Sequence, residues 1–369
     1  MHLITFISVF LFLSLLLSLF MILFTIFYQR YLKRKQSRSS RESRLWSDFF
    51  DTQVLGDQAI SEDNLNKYIY KRLRHIDEMV VFVSVIYEYL NNNQPEHSQA
   101  IEQFTQQIYP SWLKLGKYYL RKNNMQKAYF AYASSQLPFK PLVNDSSELE
   151  LLLLDILQSR SVYCKYQAFN ALYQLGQIDS VVKGVSLQVK TKGLKLHHKL
   201  ITDGLLTFNG DKEQLTLALF HQFDQLDTAY QTSLIDYARL AGQNNLDESL
   251  IPLLKNQQTH TDVICSTLRY YQQNPSQLAY PYIIEWADKR TNPNWESVAV
   301  ATTTLTSYPG EETTDILLQN INSREWYVRR NAAQAIQKLN MSREILDSIL
   351  SGDDQYAKEQ LIYFSEKGE

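Results

Sequence analysis

The sequence predicts an all-α protein in which one N-terminal transmembrane helix is followed by a solenoid of helical repeats. Three observations lead there. Nine Pro and 11 Gly in 369 residues are too few for a sandwich, a barrel or a long disordered tail. A single uncharged apolar run of 26 residues opens the chain, from Leu3 to Tyr28. From residue 148 onward, short helical runs end in Gly or Asn at near-constant spacing: Gly176, Gly210, Gly242, Asn274, Gly310 and Asn340, at intervals of 34, 32, 32, 36 and 30. Gly and Asn tolerate the left-handed conformation at a helix C-terminus, and a fixed period of this size marks a repeat architecture. Apolar residues make up 44% of the chain, with 24 Tyr and 17 Phe, which suits aromatic-rich packing between helices.

The first element, residues 1–29, is the anchor. A helix of 26 residues exceeds a ~30 Å hydrocarbon core. Its polar residues, Thr5, Ser8, Ser14, Ser18 and Thr25, can bond back to carbonyls of their own helix. A cleaved signal peptide would need positive charge before the run and a small-residue site after it; Met1 and His2 precede this run and "YQRYLKRK" follows it. The next segment, 30–60, reads as a basic juxtamembrane stretch and linker. Between 30 and 44 it carries Arg30, Lys33, Arg34, Lys35, Arg38, Arg41 and Arg44 against Glu42, a net +6, whereas the whole chain is −2. Basic residues close to a span stay cytoplasmic. The expected topology is therefore a single-pass cell-membrane protein with its N-terminus outside and the C-terminal domain in the cytoplasm. Two widely spaced cysteines, Cys164 and Cys265, fit free thiols in a reducing compartment. The same basic cluster is suited to anionic headgroups, at ~1 kcal/mol per residue near the surface.

Residues 61–140 read as an N-terminal helical region. Ser61 or Asp63 is placed to cap its first helix, whose apolar stripe runs through Leu65, Ile69, Leu73, Ile76, Val80, Val83 and Tyr87. "NNNQPEHS" reads as a turn. Trp112, Leu115, Gly116 and Tyr119, with Ala128 further on, match the W-x2-L-G-x2-Y pattern, so this hairpin resembles a tetratricopeptide repeat. One copy cannot bury its own face. "PFKPLVNDSS" (138–147), with two prolines, is the best internal boundary.

Residues 148–369 divide into about seven helix pairs. At 315–339, "DILLQNINSREWYVRRNAAQAIQKL" fills one helix with leucines, turns, and continues with Val328-Arg329, Ala332, Ala333, Ala335, Ile336 and Leu339. This stretch resembles a HEAT repeat. The copy at 150–176 is similar, with Ala168, Ala171, Leu172, Leu175 and Gly176, but has Cys164-Lys165 in place of the Val-Arg pair. The resemblance implies that Arg329 ties neighbouring repeats together.

No catalytic or phosphate-binding motif stands in the chain. His197 and His198 are adjacent, which would point their rings to different faces of a helix, and no third ligand stands at metal spacing. Asp353-Asp354 reads as a helix N-cap. No metal and no cofactor are expected. Outside the basic cluster the chain nets about −8, which speaks against a nucleic-acid grip. What such a fold offers is a long curved surface, and exposed aromatics and Arg are the residue types that anchor interfaces. The candidates are Trp286, Trp295, Trp326, Tyr327 and Arg330. The expected function is a non-catalytic membrane-anchored scaffold that binds a protein partner, itself a membrane protein. The layout is also similar to the membrane-anchored HEAT-repeat proteins of Gram-positive bacteria that accompany membrane glycosyltransferases, which implies an accessory subunit in surface-polysaccharide synthesis. A general membrane-localised adaptor in signalling or quality control is the alternative, with a helical-repeat enzyme third.

Overall fold

A computed structural model describes residues 2–56, 60–91, 95–139, 146–190 and 194–367, with side chains from Phe12 onward except those of Glu96, Ser146, Ser147, Glu366 and Lys367. Among the described residues there are nineteen α-helices and no strand. They form two compact units, Met1–Ile156 and Leu157–Glu369. The boundary thus falls later than the Pro-rich stretch 138–147, of which 140–145 lies outside the described residues. The same holds for Asn92–Gln94 of the expected turn and for the side chains of Thr5 and Ser8.

The first unit holds α1 (His2–Phe49), a π-helical turn (Phe50–Val54), α2 (Glu62–Leu73), α3 (Ile76–Asn91), α4 (Pro95–Tyr119), α5 (Asn124–Gln136) and most of α6 (Ser146–Leu157). α1 is long and apolar enough to cross a membrane. Every large apolar side chain from Phe12 to Phe27 is exposed. Ser18 and Thr25 donate to the carbonyls of Ser14 and Met21 at 2.9 and 2.8 Å, so the hydroxyls are satisfied inside the helix. The segment 30–60 differs from the expected linker. No Gly or Pro interrupts His2–Phe49, and the helix continues through the basic stretch into a core. Trp46 and Phe50 are fully buried there. Trp46 meets Phe82 of α3 edge-on at 4.8 Å, and the Arg72 guanidinium lies 5.3 Å from its ring centre. Arg72 also pairs with Glu42 of α1 and Glu78 of α3, which fixes the rotation of α1 about its axis.

The tetratricopeptide-like hairpin is α4 and α5. Trp112, Leu115, Tyr119 and Ala128 are all buried. The Trp112 indole donates to Ser134 at 2.9 Å, and Tyr119 donates to the Leu73 carbonyl at 2.8 Å. A Cβ on Gly116 would stand 2.6 Å from a Leu152 methyl, so the small residue lets α6 approach. Pro110 sits within α4 without dividing it. Ser61 is the N-cap residue of α2 but its hydroxyl makes no capping bond.

The second unit continues with α7 (Val162–Leu175), α8 (Ile178–Lys190), α9 (His198–Leu206), α10 (Lys212–Phe220), α11 (Thr228–Leu240), α12 (Asp247–Lys255) and α13 (Thr261–Gln273). Then follow α14 (Tyr280–Ala287), α15 (Trp295–Thr304), α16 (Glu311–Asn320), α17 (Trp326–Lys338), α18 (Arg343–Ser351) and α19 (Gln355–Lys367). The odd-numbered helices pack in a row, each on the next, from α7 to α19; α8 packs on α10, α12 on α14 and α14 on α16. Side-chain bonds between each helix and the corresponding helix of the neighbouring pair recur at chain separations of 31 to 36 residues. Thr202 donates to the Ser233 carbonyl at 3.1 Å, 31 residues away. Asn331 donates to Ala299 at 2.9 Å, 32 away; Asn320 to Ala287 at 2.8 Å, 33 away; Thr304 to Leu268 at 3.1 Å, 36 away. Arg329 is buried, donates to the Ser323 carbonyl at 2.6 Å, and lies 5.0 Å from the ring centre of Tyr356 in α19.

The six turn residues divide by cause. Gly176, Gly242 and Asn340 have φ of 69°, 67° and 50°, the left-handed geometry the spacing implies. Asn274 has φ −123° and Gly310 is extended at φ 170°, so neither is a left-handed cap. Gly210 is there for proximity: a Cβ on it would stand 2.6 Å from the Gly176 carbonyl oxygen. Asp354 caps α19, accepting from the amides of Tyr356 and Ala357 at 2.9 and 3.1 Å.

Candidate functional site

The helices α9, α11, α13, α15 and α17 bury one stripe and leave another free. The free stripes line one groove of about 760 Å³. In α11 the lining residues are Thr228, Ala229, Thr232 and Asp236; in α13, Asp262, Cys265, Ser266 and Arg269; in α15, Trp295, Glu296, Ala299 and Val300. Tyr327 and Asn331 come from α17, and His198 and His260 from the starts of α9 and α13. The spacing of three to four residues within each helix is that of a single helical face. The groove is therefore a property of the row.

Two of the five expected interface residues meet in it. Trp295 and Tyr327, from successive helices of the row, stack with ring centres 5.5 Å apart and planes 18° from parallel. They remain 39% and 54% exposed, so a stacked aromatic platform faces solvent. Trp326 is 47% exposed and stands edge-on to Tyr327 at 4.9 Å, outside the groove lining. Arg330 lies over Trp326 at 5.4 Å and over Phe364 of α19 at 5.8 Å, so its cation is held between two rings. Trp286 belongs elsewhere. It is 7% exposed and its indole donates to the Leu254 carbonyl at 2.8 Å; it ties α14 to α12 and is not a surface anchor. Its position on the first helix of a pair, facing the preceding pair, is what buries it.

The charges of the groove come from Asp236, Asp262, Glu296 and Arg269, which sequence reading did not single out. They share a face only once α11, α13 and α15 are aligned. The readable signal is confined to α11, whose Thr228, Thr232 and Asp236 stand at i, i+4 and i+8. Asp236 accepts from Arg239 at 3.3 Å, while His260 caps α13 by accepting from the Asp262 amide at 3.2 Å. His197 and His198 differ from expectation. Their rings approach to 4.1 Å, because His197 is the N-cap, with extended φ and ψ of −62° and 138°, and so escapes the helical phase. Among the described residues no three His, Cys, Asp or Glu side chains gather as metal ligands.

Cys265 lines the groove but is buried. Burial pushes its thiol up to about 11; Glu296 and Asp262 raise it too, against Arg269. A protonated thiol is a poor nucleophile. Iodoacetamide at about pH 8 is expected to leave Cys265 of the native protein unmodified and to alkylate it in guanidinium. Mass spectrometry of the tryptic peptide reads this directly, and rapid native alkylation would show that the groove opens.

No family model matches the chain, and no curated protein matches it. Among solved structures the chain is similar to an engineered protein, at 14% identity and a TM-score of 0.35, over 88% of this chain and 98% of that one. That likeness is too distant to carry an argument about fold or function.

Proposed function

We propose that this chain is a single-pass membrane protein whose second unit is a HEAT-like solenoid, a non-catalytic scaffold holding a protein partner in the groove of α9 to α17. The anchor is α1, with its apolar stretch exposed and its basic residues following. The positive charge C-terminal to the span supports a cytoplasmic body. The solenoid reading is supported by the row of odd-numbered helices and by side-chain bonds recurring every 31 to 36 residues. The partner's class follows from the anchor: tethering raises the effective concentration for another membrane protein. An accessory role beside a membrane glycosyltransferase is the specific form we favour, on the resemblance of layout.

The observation that carries the reading is the exposed Trp295–Tyr327 stack. Soluble surfaces seldom leave two large rings stacked and uncovered unless something covers them in use, and Trp and Tyr dominate interface energetics. The test is co-purification in mild detergent of the tagged full-length protein and of the Trp295→Ala/Tyr327→Ala variant. A stoichiometric membrane partner should accompany the native protein. Its retention should fall at least about tenfold in the variant, since one such anchor contributes about 2 kcal/mol or more. Equal retention would move the contact off the groove. Absence of any stoichiometric partner would sink the scaffold reading. A reporter fused after Glu369 and active only outside the cytoplasm would reverse the topology.

A further inference from the structure

α1 passes from its apolar stretch into the body without a break. A helix advances ~100° and 1.5 Å per residue. On that wheel Arg30, Lys33, Arg34, Arg38, Arg41 and Arg44 fall within an arc of about 140°, and Lys35 alone stands outside it. All seven are exposed. The one acid within the stretch, Glu42, is taken up by Arg72, so it does not neutralise the stripe; Asp48 follows at its far end. Lys33, Arg41 and Arg44, with Gln36, Ser37, Ser40 and Leu45, line a shallow recess on this face.

A lipid surface can satisfy only the near half of that stripe. Arg38 stands ~12 Å and Arg44 ~21 Å along the axis from Arg30. Tilting the helix by about 40°, the upper end of natural spans, still leaves Arg44 ~16 Å beyond Arg30 along the membrane normal. The Debye length at physiological ionic strength is ~8 Å, so headgroup charge is screened there. The helix cannot fold down onto the surface, because it has no Gly or Pro hinge and Trp46 and Phe50 are locked into the core of the first unit. Six aligned cations are complementary to an anion, and at that tilt Arg38 stands at about one Debye length beyond Arg30 while Arg41 and Arg44, ~13 and ~16 Å beyond it, are out of reach of lipid.

We propose that Arg38, Arg41 and Arg44 form a docking site for an acidic segment of a protein held in the same membrane. This rests on α1 crossing the bilayer, as argued above. The site is independent of the groove: it lies at a fixed height above the headgroups and reads negative charge, with the Ser37 and Ser40 hydroxyls beside the guanidinium groups.

The test uses the full-length protein in nanodiscs of phosphatidylcholine. A fluorophore is placed at Lys33→Cys or Arg44→Cys, which is selective because both native thiols are buried, and quenched by headgroup-spin-labelled lipid. The label at 33 should be quenched several-fold more than the label at 44. A fluorescent poly-glutamate peptide is then titrated. The variant Arg38→Gln/Arg41→Gln/Arg44→Gln should weaken its binding about tenfold or more. Arg30→Gln/Lys33→Gln/Arg34→Gln should weaken it less than about threefold. Equal quenching at both positions would place the whole stripe against lipid and overturn the proposal. So would equal weakening by the two triple variants, or no binding of the peptide. A label at Phe20→Cys tests the span separately: quenching there by a water-soluble agent would remove the membrane reading itself.

Discussion

Trp46→Ala is expected to destabilise the first unit by about 3–5 kcal/mol, the usual cost of emptying a fully buried Trp site. Trp46 is 1% exposed and contacts Phe49, Tyr68 and Phe82 at ring-centre distances of 5.5, 5.9 and 4.8 Å. Removing it also takes away one of the two rings over which Arg72 lies, leaving Tyr68. At about 2–4 °C per kcal/mol for a unit of this size, its calorimetric transition should fall by roughly 10 °C in the detergent-solubilised full chain, with that of the second unit unmoved. Trp46→Phe should cost only about 1–1.5 kcal/mol, because the indole N–H makes no hydrogen bond that a phenyl ring would leave broken. Equal losses for the two variants would mean that ring packing is not what joins α1 to this core. The comparison tests whether Trp46 is what holds α1 in the core of the first unit.

Gly176→Val should cost about 3–4 kcal/mol in the second unit. Two terms add. The residue sits at φ 69°, where a β-carbon costs roughly 1–2 kcal/mol and branching costs more. Its Cβ would also stand 2.8 Å from the Asn209 carbonyl oxygen, a backbone atom of the next turn that can yield only by shifting the α9–α10 connection. Gly242→Ala separates the terms. Gly242 has φ 67° but nothing within 4 Å of an added Cβ, so it should show the backbone term alone, about 1–2 kcal/mol. Denaturant unfolding of both variants reads the difference. If the two cost the same, the contact between the successive turns is not under load.

Those two glycines show where sequence reading stops. A Gly after a helical run signals a turn, and the spacing marks both. Gly210 stood in the same series and looked the same. Its role is to let the Gly176 carbonyl come within van der Waals range, a relation between residues 34 apart that no local pattern encodes. Trp286 and Trp295 make the same point for the candidate site. Both are aromatic residues in second-unit helices, yet Trp286 ends with its indole on the Leu254 carbonyl and Trp295 ends half-exposed on Tyr327. What separates them is which helix of a pair carries them, and which face that helix turns toward its neighbour.

Helical class, the apolar run of α1 and the positions of most helices follow from the sequence itself, because helical periodicity, capping residues and charge act within a few residues of one another. Three things were decided only by the tertiary structure. The basic stretch became a continuation of the apolar helix α1, because Trp46 and Phe50 found a pocket among α2, α3 and α4. The groove acquired its carboxylates and its aromatic platform from α11, α13, α15 and α17 laid side by side. His197 was turned toward His198 by its place as a cap. Each depends on contacts between residues tens of positions apart, and their free energy is set by shape and burial in the folded chain, which local spacing does not carry.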